Sequence, residues 1–199
     1  MNFLYRLGKN LYVNLTNACC CDCIFCIRKF AEGINENESL WLRREPTVSE
    51  VKDAFEKRRD LNDICEIVFC GFGEPLERAD DVVELIDYFY YKKVTLPLRP
   101  KIRIDTNGLV KLINPSFDIA RLSKVDIISV SLNADDEGEY MRLTQPRFEN
   151  AYKEMLNFVK EAKKFADIIL TVVEILHPYR IDNCRKIAED LGVAFRVRQ

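Results

Sequence analysis

The chain has 199 residues, a formal net charge of −2, 48% hydrophobic and 31% charged residues, and only seven glycines and seven prolines. This composition is typical of one globular domain and excludes a fibrous or largely disordered chain. With no basic excess it does not indicate nucleic acid or an anionic membrane as a partner, and the first ten residues predict neither a signal peptide nor a transmembrane span.

Predicted strands and helices alternate along the chain. The strand segments are rich in β-branched and aromatic residues, and the helical segments carry apolar residues at helical spacing. In chain order we predict a strand over 11–16, a loop over 32–45, a helix over 47–60, a strand over 66–70, a helix over 80–91, a strand over 101–105, a short helix after Pro115 through 122, a strand over 126–132, a helix over 148–165, a strand over 167–176, a helix over 181–191 and a strand over 193–197.

Two of these helices have recognisable ends. Thr47 is followed three residues later by Glu50, which is the capping-box pattern of a helix start. Gly192 follows the last predicted helix, where a glycine can adopt the left-handed conformation that ends a helix.

Six strand–helix units in this order predict an α/β fold with a parallel sheet and right-handed crossovers. A full eight-unit barrel typically needs about 250 residues, so we expect an open, partial (β/α)6 TIM-like barrel. A doubly wound open sheet has the same local pattern and is the alternative. We expect residues 1–199 to form a single domain with no auxiliary cluster domain. In both architectures ligands bind at the carboxyl ends of the strands.

Polar motifs stand at those strand ends. A cysteine cluster follows the first strand, Gly73-Glu74-Pro75 follows the second, Asp105-Thr106-Asn107 follows the third, and Ser131 and Asn133 end the fourth.

Five of the eight cysteines lie within eight residues: Cys19, Cys20, Cys21, Cys23 and Cys26. A disulfide scaffold spreads its cysteines over a small secreted chain, whereas a tight cluster in a chain without a signal peptide indicates a metal or cluster site in a reducing cytoplasm. The first, fourth and fifth of these cysteines form the spacing C-x3-C-x2-C.

The metal is not decided by the cysteines alone. Thiolates suit zinc, copper(I) and iron–sulfur clusters. Structural zinc takes four ligands, so a zinc site here would have to recruit Cys20, Cys21 or a distant residue, since His177 is the only histidine. Three cysteines on one loop would leave one iron of a four-iron cluster open to a small molecule. A non-enzymatic iron–sulfur or zinc redox module is therefore one alternative.

The cysteine loop resembles that of the radical S-adenosylmethionine (SAM) enzymes. In NLTNACCCDCIFC the family's C-x3-C-x-aromatic-C stands as Cys19, Cys23, Phe25 and Cys26. The resemblance covers essentially the whole chain and is greatest to the small TatD-linked, or TatD-associated, radical SAM proteins. It extends more distantly to glycyl-radical activases and 7-carboxy-7-deazaguanine synthases.

The second motif resembles the family's Gly-Gly-Glu-Pro, with two departures nearby. Gly73-Glu74-Pro75 keeps its last three residues, while Phe72 stands at the first glycine. Cys20 and Cys21 are additional thiols inside the cysteine motif.

The resemblance implies that Cys19, Cys23 and Cys26 hold a [4Fe-4S] cluster whose open iron binds SAM. One electron from a reduced donor of the flavodoxin or ferredoxin type would then yield a 5′-deoxyadenosyl radical that abstracts hydrogen from a substrate. The activity would be that of an oxidoreductase or lyase in the cytoplasm, or of a glycyl-radical-type activating protein. The implied SAM contacts are Phe25, Gly73, Glu74, Pro75, Asp105, Thr106, Asn107, Ser131 and Asn133.

The remaining reactive residues have simpler expected roles. We expect Cys65, Cys70 and Cys184 to be small buried hydrophobic residues. A lone histidine such as His177 is more often structural than catalytic. The basic residues near the cluster are either solvated surface or a site for an anionic substrate or acidic electron donor; they are Arg28, Lys29, Arg43 and Arg44.

Overall fold

The computed structural model describes residues 3–31, 33–35 and 38–198. Its strands are β1 Leu4–Leu7, β2 Asn10–Val13, β3 Gly33–Asn35, β4 Glu38–Ser39, β5 Glu66–Phe69, β6 Lys101–Thr106, β7 Ile127–Ser131, β8 Asp167–Val173 and β9 Ala194–Arg198. Its α-helices are α1 Val48–Lys57, α2 Ala79–Lys92, α3 Val110–Ile113, α4 Glu137–Thr144, α5 Ala151–Ala162 and α6 Pro178–Leu191.

Seven strands form one sheet in the order β1-β2-β5-β6-β7-β8-β9. Only β1 runs antiparallel to its neighbour, and every other pair in this sheet is parallel. The parallel strands follow chain order with no reversal, so right-handed crossovers place the helices on one face. A doubly wound sheet reverses its strand order at a switch point. The expected α/β fold is therefore confirmed, and its strand order is that of an open partial barrel.

The two faces of the sheet differ in chemistry because side chains alternate along each strand. On β6, Ile102 and Ile104 are fully buried in the hydrophobic core. Arg103 and Asp105 project to the opposite face, where they lie 3.1 Å apart. The helices thus cover an apolar outer face, and the concave inner face carries polar side chains that can meet a ligand.

The predicted helix ends are confirmed. The side chain of Thr47 accepts a hydrogen bond from the backbone N–H of Glu50, and the Glu50 carboxylate accepts one from the N–H of Thr47. Gly192 ends α6 with φ of 67°, the left-handed conformation that a glycine adopts without strain.

Several boundaries differ from the prediction. The segment 32–45, expected to be a loop, contains the antiparallel pair β3–β4, although residues 32, 36 and 37 lie outside the described part. The short helix expected after Pro115 is the 3-10 helix Ile119–Leu122, and α3, which precedes Pro115, was not predicted. Strands β2 and β8 end three residues earlier than predicted, at Val13 and Val173.

Two further elements, β1 and α4, were not predicted. Strand β1 pairs with β2 through a tight turn at Gly8, whose φ is 59°. Helix α4 is capped by Asp136, whose carboxylate accepts a hydrogen bond from the N–H of Glu139. No helix in the described residues is both long and apolar enough to cross a bilayer.

Candidate functional site

The cysteine loop leaves the carboxyl end of β2 and is held on one side by the Gly-Glu turn after β5. The N–H of Gly73 donates to the carbonyl oxygen of Thr16 at 3.1 Å, and the N–H of Glu74 donates to that of Ala18 at 2.8 Å. A Cβ on Gly73 would lie 2.4 Å from the Thr16 oxygen and 2.5 Å from the Ala18 oxygen. Only glycine allows the two chains to approach this closely.

The end of α4 holds the other side of the loop. The N–H of Ile24 donates to the carbonyl oxygen of Leu143 at 2.9 Å, and the N–H of Arg147 donates to that of Cys20 at 2.9 Å. The guanidinium of Arg28 donates to the carbonyl oxygen of Cys21 at 3.3 Å. The loop is therefore fixed by backbone contacts from two directions before any ligand binds.

The thiols of the loop lie close to each other. The Cys21 thiol donates a hydrogen bond to the sulfur of Cys19, and this donation lowers the pKa of Cys19 to about 6. A hydrogen bond from the same thiol lowers the pKa of Cys23, whereas burial raises the pKa of Cys26. Because the thiolate is the form that binds metals, these contacts favour ligation by Cys19 and Cys23.

The side chain of Asn107 faces these sulfurs. Its amide nitrogen lies 3.2 Å from the sulfur of Cys20, 3.8 Å from that of Cys21 and 4.0 Å from that of Cys19. Asn107 was predicted as a SAM contact, and in the structure its amide is a donor to the cysteine loop.

The side chain of Glu74 connects the turn after β5 to the end of β6. Its carboxylate accepts hydrogen bonds from the Thr106 hydroxyl at 2.6 Å, from the Asn107 N–H at 2.7 Å and from the Leu76 N–H at 3.1 Å. Burial raises the pKa of Glu74 to about 8, although these three donors favour the carboxylate. The carboxylate is thus oriented at the cavity edge by Leu76 in the 3-10 helix that follows it and by Thr106 and Asn107 at the end of β6.

A cavity of about 480 Å³ lies at this end of the sheet. Nearly all of the predicted site residues line it together: Cys19, Cys23, Phe25, Cys26, Gly73, Glu74, Asp105, Thr106, Asn107, Ser131 and Asn133. Pro75 does not; it is buried at the start of the 3-10 helix Pro75–Arg78. The side-chain oxygen of Asn133 is buried and has no hydrogen-bond partner in the described residues. That oxygen is available to a donor on a ligand.

The inner face of the sheet also carries a cluster of charged side chains, formed by Arg103, Asp105 and Glu66. The carboxylate of Asp105 lies 3.1 Å from Nε of Arg103, whose Nη1 lies 3.0 Å from Glu66. Burial raises the pKa of Asp105, and the positive charges of Arg103 and Arg198 act in the opposite direction. Asp105 is therefore engaged by its own neighbours on the cavity wall.

Sequence reasoning missed other cavity residues. Cys70, Tyr140, Thr144, Val173 and Arg198 line the cavity. Cys70 ends the predicted strand 66–70, and Arg198 directly follows the predicted strand 193–197; these positions at strand ends were the available signal. Tyr140 and Thr144 belong to α4, which was not predicted.

The other expectations have mixed outcomes. Cys184 is buried as expected, but Cys65 is exposed and Cys70 faces the cavity. The exposed His177 caps α6, where its ring accepts a hydrogen bond from the Tyr179 N–H. The ammonium of Lys29 lies 2.8 Å from Asp22. Arg44 pairs with Glu50.

The donor set fits an iron–sulfur cluster. Three motif thiols face one cavity, and thiolates are the ligands of such clusters. Within the described residues, no three His, Cys, Asp or Glu side chains are arranged to hold one metal ion. A four-iron cluster takes each thiolate on a different iron, so its ligands do not need to converge on a single point.

Comparison with known proteins points to one family. The family model of the radical SAM superfamily matches residues 13–191. No curated protein sequence matches the chain.

Three solved structures share the fold at low sequence identity. Methylornithine synthase (PylB) aligns with a TM-score of 0.61 and 16% identity over 95% of this chain and 52% of its own. A radical SAM methyltransferase from Sphaerobacter thermophilus aligns with a TM-score of 0.53 and 18% identity over 98% of this chain and 68% of its own. HydG, a maturase of the [FeFe]-hydrogenase, aligns with a TM-score of 0.61 and 16% identity over 94% of this chain and 41% of its own. The chain thus spans about half the length of methylornithine synthase and less of HydG.

Proposed function

Because the chain belongs to the radical SAM superfamily, whose members are enzymes that bind a [4Fe-4S] cluster and SAM, we propose that it cleaves SAM reductively and acts on a substrate held in the cavity. When bound, the cluster and SAM supply one-electron chemistry that yields a 5′-deoxyadenosyl radical. The observation that carries the proposal is the convergence of the three motif thiols and the Gly73-Glu74 turn on one cavity, joined by direct backbone hydrogen bonds.

The residues divide into two groups in this proposal. Cys19, Cys23 and Cys26 hold the cluster. The proposed SAM contacts are Phe25, Gly73, Glu74, Asp105, Thr106, Asn107, Ser131 and Asn133, all of which line the cavity. Pro75 acts indirectly, because its ring fixes the backbone at the start of the 3-10 helix that follows Glu74.

The chain's own groups bind, orient and exclude water. Phe25, Phe30 and Phe72 give the cavity apolar walls, which strengthen polar contacts inside it. The Glu74 carboxylate, fixed by three donors, is placed to receive a cationic group such as an ammonium. The unpartnered oxygen of Asn133 is placed to accept a hydrogen bond from a hydroxyl.

Finer assignments also belong to this proposal. The motif NLTNACCCDCIFC favours the TatD-linked group within the superfamily. A reduced flavodoxin- or ferredoxin-type donor and a cytoplasmic location are consistent with thiols that must stay reduced for cluster assembly. A single core domain over residues 1–199 is also part of the proposal.

The test is electron paramagnetic resonance on anaerobically reconstituted, reduced protein with and without SAM. We expect a [4Fe-4S]⁺ signal that changes when SAM is added. The signal should be lost in Cys23→Ala and kept in Cys65→Ser, a control at an exposed cysteine outside the cavity. A cluster that does not respond to SAM, or retained zinc without a cluster, would contradict the proposal and support a non-enzymatic metal module.

A further inference from the structure

Arg198 lies on the cavity wall although no motif includes it. It ends β9, where it is opposite Val173 of β8 in the parallel register. Its carbonyl oxygen accepts a hydrogen bond from the N–H of Glu174 at 2.9 Å, which fixes the backbone. The side chain reaches past β8 to β7, where Nη2 donates to the Ser131 hydroxyl at 3.0 Å.

The acids near Arg198 are engaged by another arginine. Asp105 lies 3.1 Å from Arg103 Nε, and Glu66 lies 3.0 Å from Arg103 Nη1. Among the residues that the structure describes, Arg198 has no carboxylate within 4.0 Å. The guanidinium therefore brings a positive charge to the cavity that no described carboxylate neutralises at contact distance.

One donor of Arg198 is also unsatisfied. Its Nε is buried and has no hydrogen-bond partner in the described residues. A guanidinium stays charged at all physiological pH values, and a buried charged donor without a partner is destabilising. The fork of Nε and an Nη group matches the two oxygens of a carboxylate.

We propose that Arg198 binds a carboxylate group of the substrate and so determines substrate specificity. This inference rests on the proposed function, because it takes the cavity to be a substrate site. The Ser131 hydroxyl orients the guanidinium. The apolar walls formed by Phe30, Phe72 and Val173 accommodate the remainder of the substrate.

The carboxylate could also come from the methionine end of SAM, and the position of Arg198 favours the substrate. The cysteine loop and the Gly73-Glu74 turn follow β2 and β5, near one edge of the sheet, whereas Arg198 ends β9 at the opposite edge. In the proposed function an ammonium, which in SAM belongs to the methionine end, lies at Glu74 in the turn after β5. That strand is four positions from β9 in the sheet, so we assign Arg198 to a second ligand.

The test uses benzoate as probe and benzamide as its neutral isostere. Binding to cluster-loaded protein in the presence of SAM is measured anaerobically by saturation-transfer NMR. We expect benzoate to bind more tightly than benzamide, and Arg198→Gln to weaken benzoate binding on the order of tenfold to a hundredfold. Arg198→Lys should weaken benzoate binding less than Arg198→Gln does. Arg196→Gln, at an exposed arginine of the same strand, should leave the affinity unchanged.

A second readout separates the two carboxylate sources. Arg198→Gln should keep the SAM-induced change in the electron paramagnetic resonance spectrum at the wild-type SAM concentration. Loss of that change, or equal binding of benzoate by wild type and Arg198→Gln, would overturn the inference. If wild type shows no response to SAM but binds benzoate through Arg198, the carboxylate site stands and the proposed function fails.

Discussion

The contact between Gly73 and the cysteine loop makes a strong prediction for Gly73→Ala. The new Cβ would lie 2.4 Å from the Thr16 oxygen and 2.5 Å from the Ala18 oxygen, both backbone atoms that cannot rotate away. Relief requires the loop to move, which breaks the hydrogen bonds of 3.1 and 2.8 Å that join the two segments. Overpacking costs about 1–3 kcal/mol, and two lost hydrogen bonds cost about 1 kcal/mol each.

The summed destabilisation of about 3–5 kcal/mol predicts a fall in Tm of roughly 10 °C for a domain of this size. We also expect a lower iron and sulfide content after anaerobic reconstitution, because the displaced segment immediately precedes Cys19. Thermal unfolding and metal analysis measure the two effects.

Gly138→Ala is the matched control. Gly138 lies in α4, and a Cβ there meets only the Asp136 carboxylate oxygen at 3.4 Å, an ordinary contact. Alanine in a helix should be neutral or stabilising by about 0.5–1 kcal/mol. If Gly73→Ala unfolds at the wild-type temperature and takes up a full cluster, the close approach does not position the cysteines and the reasoning is refuted.

Three further predictions follow from contacts around the loop. Asn107→Ala removes the amide near the cysteine sulfurs. Because donors near the sulfurs stabilise the reduced form, the midpoint potential of the cluster should become more negative. A redox titration followed by electron paramagnetic resonance measures this potential, and an unchanged value would contradict the prediction. Burial raises the pKa of Glu74 to about 8, so its neutral form is favoured in the fold and its contribution to stability is lost as pH rises through that value. The unfolding free energy of wild type should therefore fall relative to that of Glu74→Gln from pH 5 to pH 8, and a rise relative to Glu74→Gln would contradict the assignment. Arg28→Gln removes donors to the carbonyl oxygens of Asn17 and Cys21 and should lower the free energy of unfolding by about 1–2 kcal/mol in chemical denaturation, while Arg43→Gln, at an exposed position, should not.

The parallel strands and their helices could be predicted because their signals are local. Apolar periodicity and the Thr47–Glu50 capping box are properties of short windows, and both are confirmed. Helix α4 was missed because its sequence, EGEYMRLT, has weak amphipathic character, and its start depends on the side chain of Asp136. Strand β1 depends on its pairing with β2, which no local pattern shows.

The site residues also differ in whether a local sequence pattern could predict them. The cysteines and the Gly-Glu-Pro turn are contiguous motifs, and their convergence follows from their positions at adjacent strand ends. Arg198 and Cys70 are single residues whose meaning depends on alternation and register. The pairing of Val173 with Arg198 turns the last side chain of β9 towards the cavity, and one residue of slip would turn it to the other face.

Phe72 stands where the family's Gly-Gly-Glu-Pro motif has its first glycine, so its surroundings indicate which of the two glycines the fold requires. Its side chain is buried and packs edge-on against Trp41, with ring centroids 5.1 Å apart, while also lining the cavity. The fold thus accommodates a side chain at 72, in contrast to Gly73, where a Cβ would collide with Thr16 and Ala18. The requirement for glycine therefore falls on the residue directly before the glutamate, since that position makes the close approach to the cysteine loop. A side chain at the preceding position changes the shape of the cavity and leaves the loop contact intact.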